Sequence, residues 1–184
     1  MWIAICIIAI IGLYILSVYN GLVARRVQAR EAWATIDTQL KRRYDLIPNL
    51  VSAVKGAAKH EKETLESVIA ARNSAMSAHD VAARGAAENV LTDALKSIFA
   101  LSESYPTLQA NANFMELQNE LTDTETKIQA ARQFYNSVVM SLNTNIEQFP
   151  ASIVANMFKF VPEKFFELDE EEKKAAKKAP KVEF

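Results

Sequence analysis

An all-α protein is predicted: an N-terminal transmembrane helix followed by an antiparallel four-helix bundle, up-and-down and left-handed. Three observations carry this. Half of the 184 residues are apolar while Gly (4) and Pro (5) are scarce, a mix that favours helix and gives strands little support. The stretch Trp2–Tyr19 holds 18 residues without a charge. From Phe114 onward apolar residues recur every seven positions.

The N-terminal stretch, "WIAICIIAIIGLYILSVY", spans about 27 Å as a helix, roughly the thickness of a bilayer's hydrocarbon core. Trp2 and Tyr19 stand at its ends, where amphipathic aromatics suit the membrane interface. A cleaved signal would need a basic leader and a small-residue exit. No Lys or Arg precedes Arg25, and "IAIC" is a poor lipid-attachment signal, so an uncleaved anchor is expected. Arg25, Arg26 and Arg30 follow the stretch, and basic residues are retained on the cytoplasmic side. The N-terminus is therefore expected outside a bacterial inner membrane, with the rest of the chain in the cytoplasm.

The remainder divides at its breakers. Residues 1–20 are assigned to the anchor, 21–149 to the bundle, 150–166 to an apolar C-terminal segment and 167–184 to a charged, disordered tail. A first helix continues from the membrane to about Tyr44, carrying Val23, Val27, Trp33, Ile36 and Leu40. In "YDLIP" the proline would lose a helical hydrogen bond if it lay inside a helix, whereas at a first helical position it costs little. The stretch is read as a corner, with Pro48 opening a second helix to Ser77. The alternative is one continuous helix, because the apolar phase of Leu40, Tyr44, Ile47, Val51 and Val54 runs straight through. The second helix is expected to use Leu65, Val68 and Ile69.

Asp80 is the expected cap of a third helix, which buries Val90, Leu91, Leu95, Ile98 and Phe99. "SESYP" is a loop, and Asn113 with Glu116 is read as the start of a fourth helix ending before Pro150. On it, Phe114, Leu121, Ile128, Tyr135, Leu142 and Phe149 form one seven-residue row. Leu117, Thr124, Ala131, Val138 and Asn145 form the next. A sustained seven-residue repeat implies a left-handed supercoil.

Net charge is −1, so bulk charge points to no nucleic-acid partner. The single Cys6 lies in the apolar stretch, and His60 begins "HEKET", which lacks the second histidine of a zinc-binding H-E-x-x-H. No phosphate loop, dinucleotide fingerprint or nucleophile elbow is present. No catalytic residue, cofactor or metal site is expected. What remains is a set of charges beside the apolar stripes: Lys41, Arg42, Arg43, Glu61, Arg72, Glu125 and Arg132. Charges next to a core must be paired or they are costly, so these are read as inter-helix ion pairs, with a shared polar site inside the bundle as the alternative. Lys41, Arg42 and Arg43 would also suit a helix C-terminus. The segment "FPASIVANMFKFVPEKFF" is apolar but broken by Pro150 and Pro162. It is expected to dock on the bundle, to lie on the membrane or to grip a partner.

Several stretches resemble the LemA family, which includes a magnetosome-associated relative. They are "YNGLV", "EAWATIDTQLKRRYDLIPNLVSAVKG", "HEKETLESVIAAR", "YPTLQANANFMELQNELTDTETKIQAARQFYNSVV" and "FPASIVANMF", which together cover most of residues 19–158. The chain departs from the family at "MFKF", where relatives often have glycine in place of Lys159. The resemblance implies one membrane helix and a cytoplasmic antiparallel four-helix bundle, with no established activity. Genes of such proteins often neighbour those of membrane metalloproteases, a hint of partnership. The functions to weigh are then a membrane-anchored scaffold or interaction module, an accessory or sensor subunit of a membrane enzyme such as a metalloprotease, and a ligand-binding bundle. Expected partners are the bilayer, through Trp2–Tyr19, and a protein partner or a second copy of the chain.

Overall fold

The computed structural model describes residues 1–58 and 60–166, and the charged tail at 167–184 lies outside the described residues. Six helices follow one another: α1 (Trp2–Ala57), α2 (Lys62–Ser77), α3 (Val81–Glu103), α4 (Pro106–Gln109), α5 (Ala112–Glu147) and α6 (Ala151–Met157). Among the described residues there is no strand.

The expected corner at Pro48 is absent, because α1 runs unbroken to Ala57 with the proline inside it. Its buried residues continue in phase across the proline: Leu40, Tyr44, Ile47, Leu50, Val51 and Val54. A proline at position 48 frees the carbonyl of residue 44 from its helical bond. That carbonyl is occupied from elsewhere: the Arg72 Nε donates to the Tyr44 oxygen at 2.8 Å. The main-chain cost is thus offset by a side chain on α2, and the apolar stripe prevails. The chain breaks instead after Ala57, and α2 starts at Lys62 rather than at Pro48.

The chain forms two compact units. The first comprises Met1–Thr38 and Gln129–Phe165. In it Arg25 donates from Nε to the Ser141 hydroxyl at 3.2 Å, and the Trp33 and Tyr135 rings lie 5.5 Å apart. Positions rise along α1 as they fall along α5, so these stretches run in opposite directions. Leu22, Leu142, Ile146, Ala155 and Phe160 form its core, with Val18, Tyr19 and Val23 packed against them. Val27, expected in the stripe, is exposed, and the smaller Ala29 and Ala32 are buried in its place.

In the same unit α6 ends in a tight cap. Lys159 adopts a φ of 55°, its N–H reaches the Asn156 carbonyl at 3.2 Å, and the Phe160 N–H reaches the Ala155 carbonyl at 2.9 Å. This is the Schellman arrangement, whose left-handed residue is usually glycine. Lys159 therefore occupies a glycine-type position. Beyond it, Asn143 exchanges two hydrogen bonds of 2.9 Å with the Glu163 main chain, and the Tyr135 hydroxyl donates to the Lys164 carbonyl at 2.9 Å.

The second unit comprises Gln39–Ile128 with Phe166. Its core takes Ile47, Leu50 and Val54 from α1, Leu65 and Val68 from α2, Leu91, Leu95 and Ile98 from α3, Leu108 from α4, and Phe114, Leu121 and Ile128 from α5. Asp80 caps α3 as expected, accepting from the Ala82 N–H at 3.2 Å. Val90 and Ile69 point to solvent, and Phe99 is only half-buried. "SESYP" contains more helix than expected: α3 extends to Glu103 and Pro106 opens α4. The start of α5 is capped by Asn111, whose side-chain oxygen accepts from the N–H groups of Asn113 and Phe114 at 3.0 and 3.3 Å, and not by Asn113.

On α5 Phe114, Leu121, Ile128, Tyr135 and Leu142 of the first seven-residue row are buried, as are Thr124, Ala131 and Val138 of the second, whereas Leu117 and Asn145 are half-buried and Phe149 lies past the helix end and is exposed. A third row joins them through Arg132, Val139 and Ile146. The buried stripe is therefore the wide face of a globular helix rather than a two-row seam.

Candidate functional site

Helical periodicity places three charged residues inside the second unit. Arg43 lies in phase with Leu40 and Ile47 on α1, Glu88 with Leu91 and Leu95 on α3, and Glu125 beside Leu121 and Ile128 on α5. Arg43 is 3% exposed and Glu88 2%, so water screens this pair little. The Arg43 Nη1 lies 3.2 Å from the Glu88 Oε2 and 3.0 Å from the Glu125 Oε2. Its Nη2 donates to the Thr92 hydroxyl at 2.7 Å. The Tyr44 hydroxyl donates to the other Glu88 oxygen. One guanidinium thus ties α1 to α3 and α5, using the fixed fork that lysine lacks.

The electrostatics follow from burial. Two carboxylates share one cation, and desolvation disfavours the charged form of each group. Burial raises the Glu88 carboxyl above its ordinary value, although the Tyr44 hydrogen bond and Arg43 pull it back down. Burial, reinforced by Glu88, holds the Tyr44 phenol well above its ordinary value, so it stays protonated and remains a donor.

Of the other sequence-predicted charges, Arg42, Arg72 and Glu61 meet separate partners. Arg42 faces Glu120 at 3.9 Å near the surface. Arg72 serves the Tyr44 carbonyl. Glu61 accepts from the Tyr105 hydroxyl at 2.9 Å, and that bond raises the phenol's pKa. Lys41 is exposed on α1, while Arg132 is buried on α5 in the first unit. So Arg43 and Glu125 come together, and the set as a whole forms no single site. Sequence reading missed Glu88, Tyr44 and Thr92. Glu88 was detectable, being a carboxylate in step with Leu91, Leu95 and Ile98 on an otherwise apolar face.

A groove of about 610 Å³ lies between α1 and α5 in this unit, lined by Leu46, Asn49, Ser52, Ala53, Asn113, Glu116, Leu117 and Glu120. None of Arg43, Glu88 and Glu125 lines it. It offers carboxylates and amides, with no base paired to a nucleophile. Among the described residues, no group of three or more His, Cys, Asp and Glu side chains is placed to hold a metal ion.

At the other end of α1, an 18-residue window has a mean hydropathy of 2.5 and none of it is buried within the protein. The chain is thus an all-helical protein with a long apolar N-terminal helix compatible with a single membrane anchor, and with buried ion pairs joining its helices. The family model for the LemA family matches residues 32–184, and the chain belongs to that family. Among curated proteins none matches the chain.

Proposed function

We propose that the chain is a single-pass membrane-anchored helical module that works by holding and presenting protein partners. Trp2–Tyr19 crosses a bacterial inner membrane with the N-terminus outside, and the helices beyond it form a cytoplasmic, antiparallel, left-handed four-helix bundle. Arg25, Arg26 and Arg30, directly after the apolar run, support that orientation. The reading rests above all on the exposed apolar run: 18 residues of that hydropathy in water would be strongly unfavourable, and a bilayer removes the cost.

The charges inside the second unit support an interaction role over catalysis. Arg43, Glu88, Tyr44 and Thr92 satisfy one another, and Arg72 serves the main chain. Such contacts hold helices in register and present no nucleophile to a substrate.

Crosslinking in native membranes, followed by mass spectrometry, tests the role. A reproducible set of crosslinks from the helices beyond Tyr19 to one other protein, or to a second copy, is the expected result. A membrane metalloprotease as that partner would narrow the role to an accessory subunit. Bundle residues crosslinked only within their own chain would contradict the proposal.

A further inference from the structure

The first unit carries an apolar surface that its own packing does not cover. From Gln148 to Phe158 no residue is charged. One side of this elbow is docked: Val154, Ala155 and Phe160 are buried. The other side is open, with Phe149 76%, Ile153 56%, Met157 58%, Phe158 47% and Val161 73% exposed. So many large apolar side chains within 13 positions mark a surface that meets something other than water.

The place where the elbow docks indicates what that is. The Phe158 ring lies 4.7 Å from the Tyr19 ring, and Phe160 lies 5.8 Å from it. The Arg26 guanidinium stands 5.0 Å over the Phe160 ring. Tyr19 closes the apolar stretch Trp2–Tyr19, and Val18, Tyr19, Leu22 and Val23 supply the α1 side of the contact. The elbow therefore packs on the first turns of α1 beyond the apolar helix. Short amphipathic elements at that level bury an apolar face roughly 5–10 Å into the boundary between headgroups and acyl chains.

We propose that the elbow Phe149–Val161 is a second membrane contact, lying in the lipid interface beside the point where α1 leaves the bilayer. The inference rests on the anchor reading above. Lipid is favoured over a protein partner because the open face begins within a turn of Tyr19, where lipid is already the neighbour. Lys159, exposed in the same turn, adds a cation on a long apolar stem that suits lipid phosphates. Anchor and elbow together would hold the emerging part of α1 at two points.

The test uses the full chain in liposomes of phosphatidylcholine and phosphatidylglycerol, with Cys6→Ser as background. An environment-sensitive fluorophore is placed by Ile153→Cys or Met157→Cys on the elbow, by Ile10→Cys in the anchor and by Gln133→Cys on the exposed face of α5. Unchanged circular dichroism confirms that each variant is folded. At Ile153 and Met157 the emission should shift to the blue and fall by a factor of about two when nitroxide lipids labelled near the headgroup are included. At Gln133 it should not change. Ile10 lies at the middle of the span, so it is read with lipids carrying the nitroxide deep in the acyl chain. Quenching at Ile10 by those lipids, without quenching at the elbow by the headgroup-labelled ones, would overturn this inference and leave the anchor standing. No quenching at Ile10 by the deep-labelled lipids would overturn both. A blue shift at the elbow that is insensitive to nitroxide lipid, and that is lost on dilution into empty liposomes, would assign the surface to a second copy and overturn the lipid contact.

Discussion

The Nε of Arg72 donates to the main-chain carbonyl of Tyr44 at 2.8 Å, and that carbonyl is the one Pro48 deprives of its partner. A residue 28 positions away thus makes an interior proline tolerable. Arg72→Ala should cost about 1–3 kcal/mol, the range for leaving a part-buried acceptor unsatisfied. In a Pro48→Ala background the helix regains the missing N–H, so Arg72→Ala should cost about 1 kcal/mol less. Denaturation of the four members of this cycle in detergent checks the coupling. Strict additivity would separate Arg72 from Pro48.

Arg43 is the shared cation of the buried cluster. Arg43→Ala would leave Glu88 and Glu125 facing each other without it, and a loss of about 3–5 kcal/mol is expected. Arg43→Met combined with Glu88→Gln should recover part of this, since it removes the charge along with its partner. Denaturation midpoints compare the two. A single variant no worse than the double would show that the cluster does not hold the fold.

Glu88 makes stability depend on pH with a defined sign. Its carboxyl is raised in the folded state, burial being the largest cause, above an ordinary value of 4.5. Its contribution is complete below that ordinary value and is lost as pH rises through the folded value. Arg43 and Tyr44 on α1, Arg84 on its own helix and Glu125 on α5 tune the effect. Glu88→Gln should remove this component, so the variant gains relative to the parent as pH rises above 4.5. Thermal midpoints across that range give the difference, and a constant gap would contradict the assignment.

Lys159 holds a left-handed backbone with a φ of 55°. That conformation costs roughly 1–2 kcal/mol for a residue with a Cβ, and glycine returns about half of the gain as unfolded-chain entropy. Lys159→Gly should therefore stabilise the chain by about 0.5–1 kcal/mol. Lys159→Ala should change stability little, since alanine meets the same strain. Equal effects of glycine and alanine would mean that the turn is not the cause.

These cases show what was legible in the sequence. Leu40, Tyr44, Ile47, Val51 and Val54 kept a helical phase across Pro48, so a single helix could be read there. The local cost of proline argued for a corner, because the compensating Arg72 belongs to another helix and leaves no local trace. The α3 cap at Asp80 was legible because its chemistry spans two residues. In "ANANF" two asparagines two positions apart compete for the α5 cap, and only the backbone geometry selects Asn111. Val27, Val90 and Ile69 were expected inside on hydrophobicity alone, yet apolar residues are often exposed, and Ala29 and Ala32 show that close helix packing prefers small ones there. Of the polar cluster, Arg43 and Glu125 could be named from their phase. Their meeting with Glu88 depends on how three helices align, which one-dimensional spacing does not encode.

The central claim, an uncleaved anchor with the helices beyond it in the cytoplasm, is tested most directly by protease protection. A protease is added to intact spheroplasts and to spheroplasts opened by osmotic shock, and the chain is followed by an antibody against the helices beyond Tyr19. The account predicts a full-length chain that survives in the intact sample and is degraded in the opened one. Digestion in intact spheroplasts, or a mature chain that begins after residue 20, would contradict it.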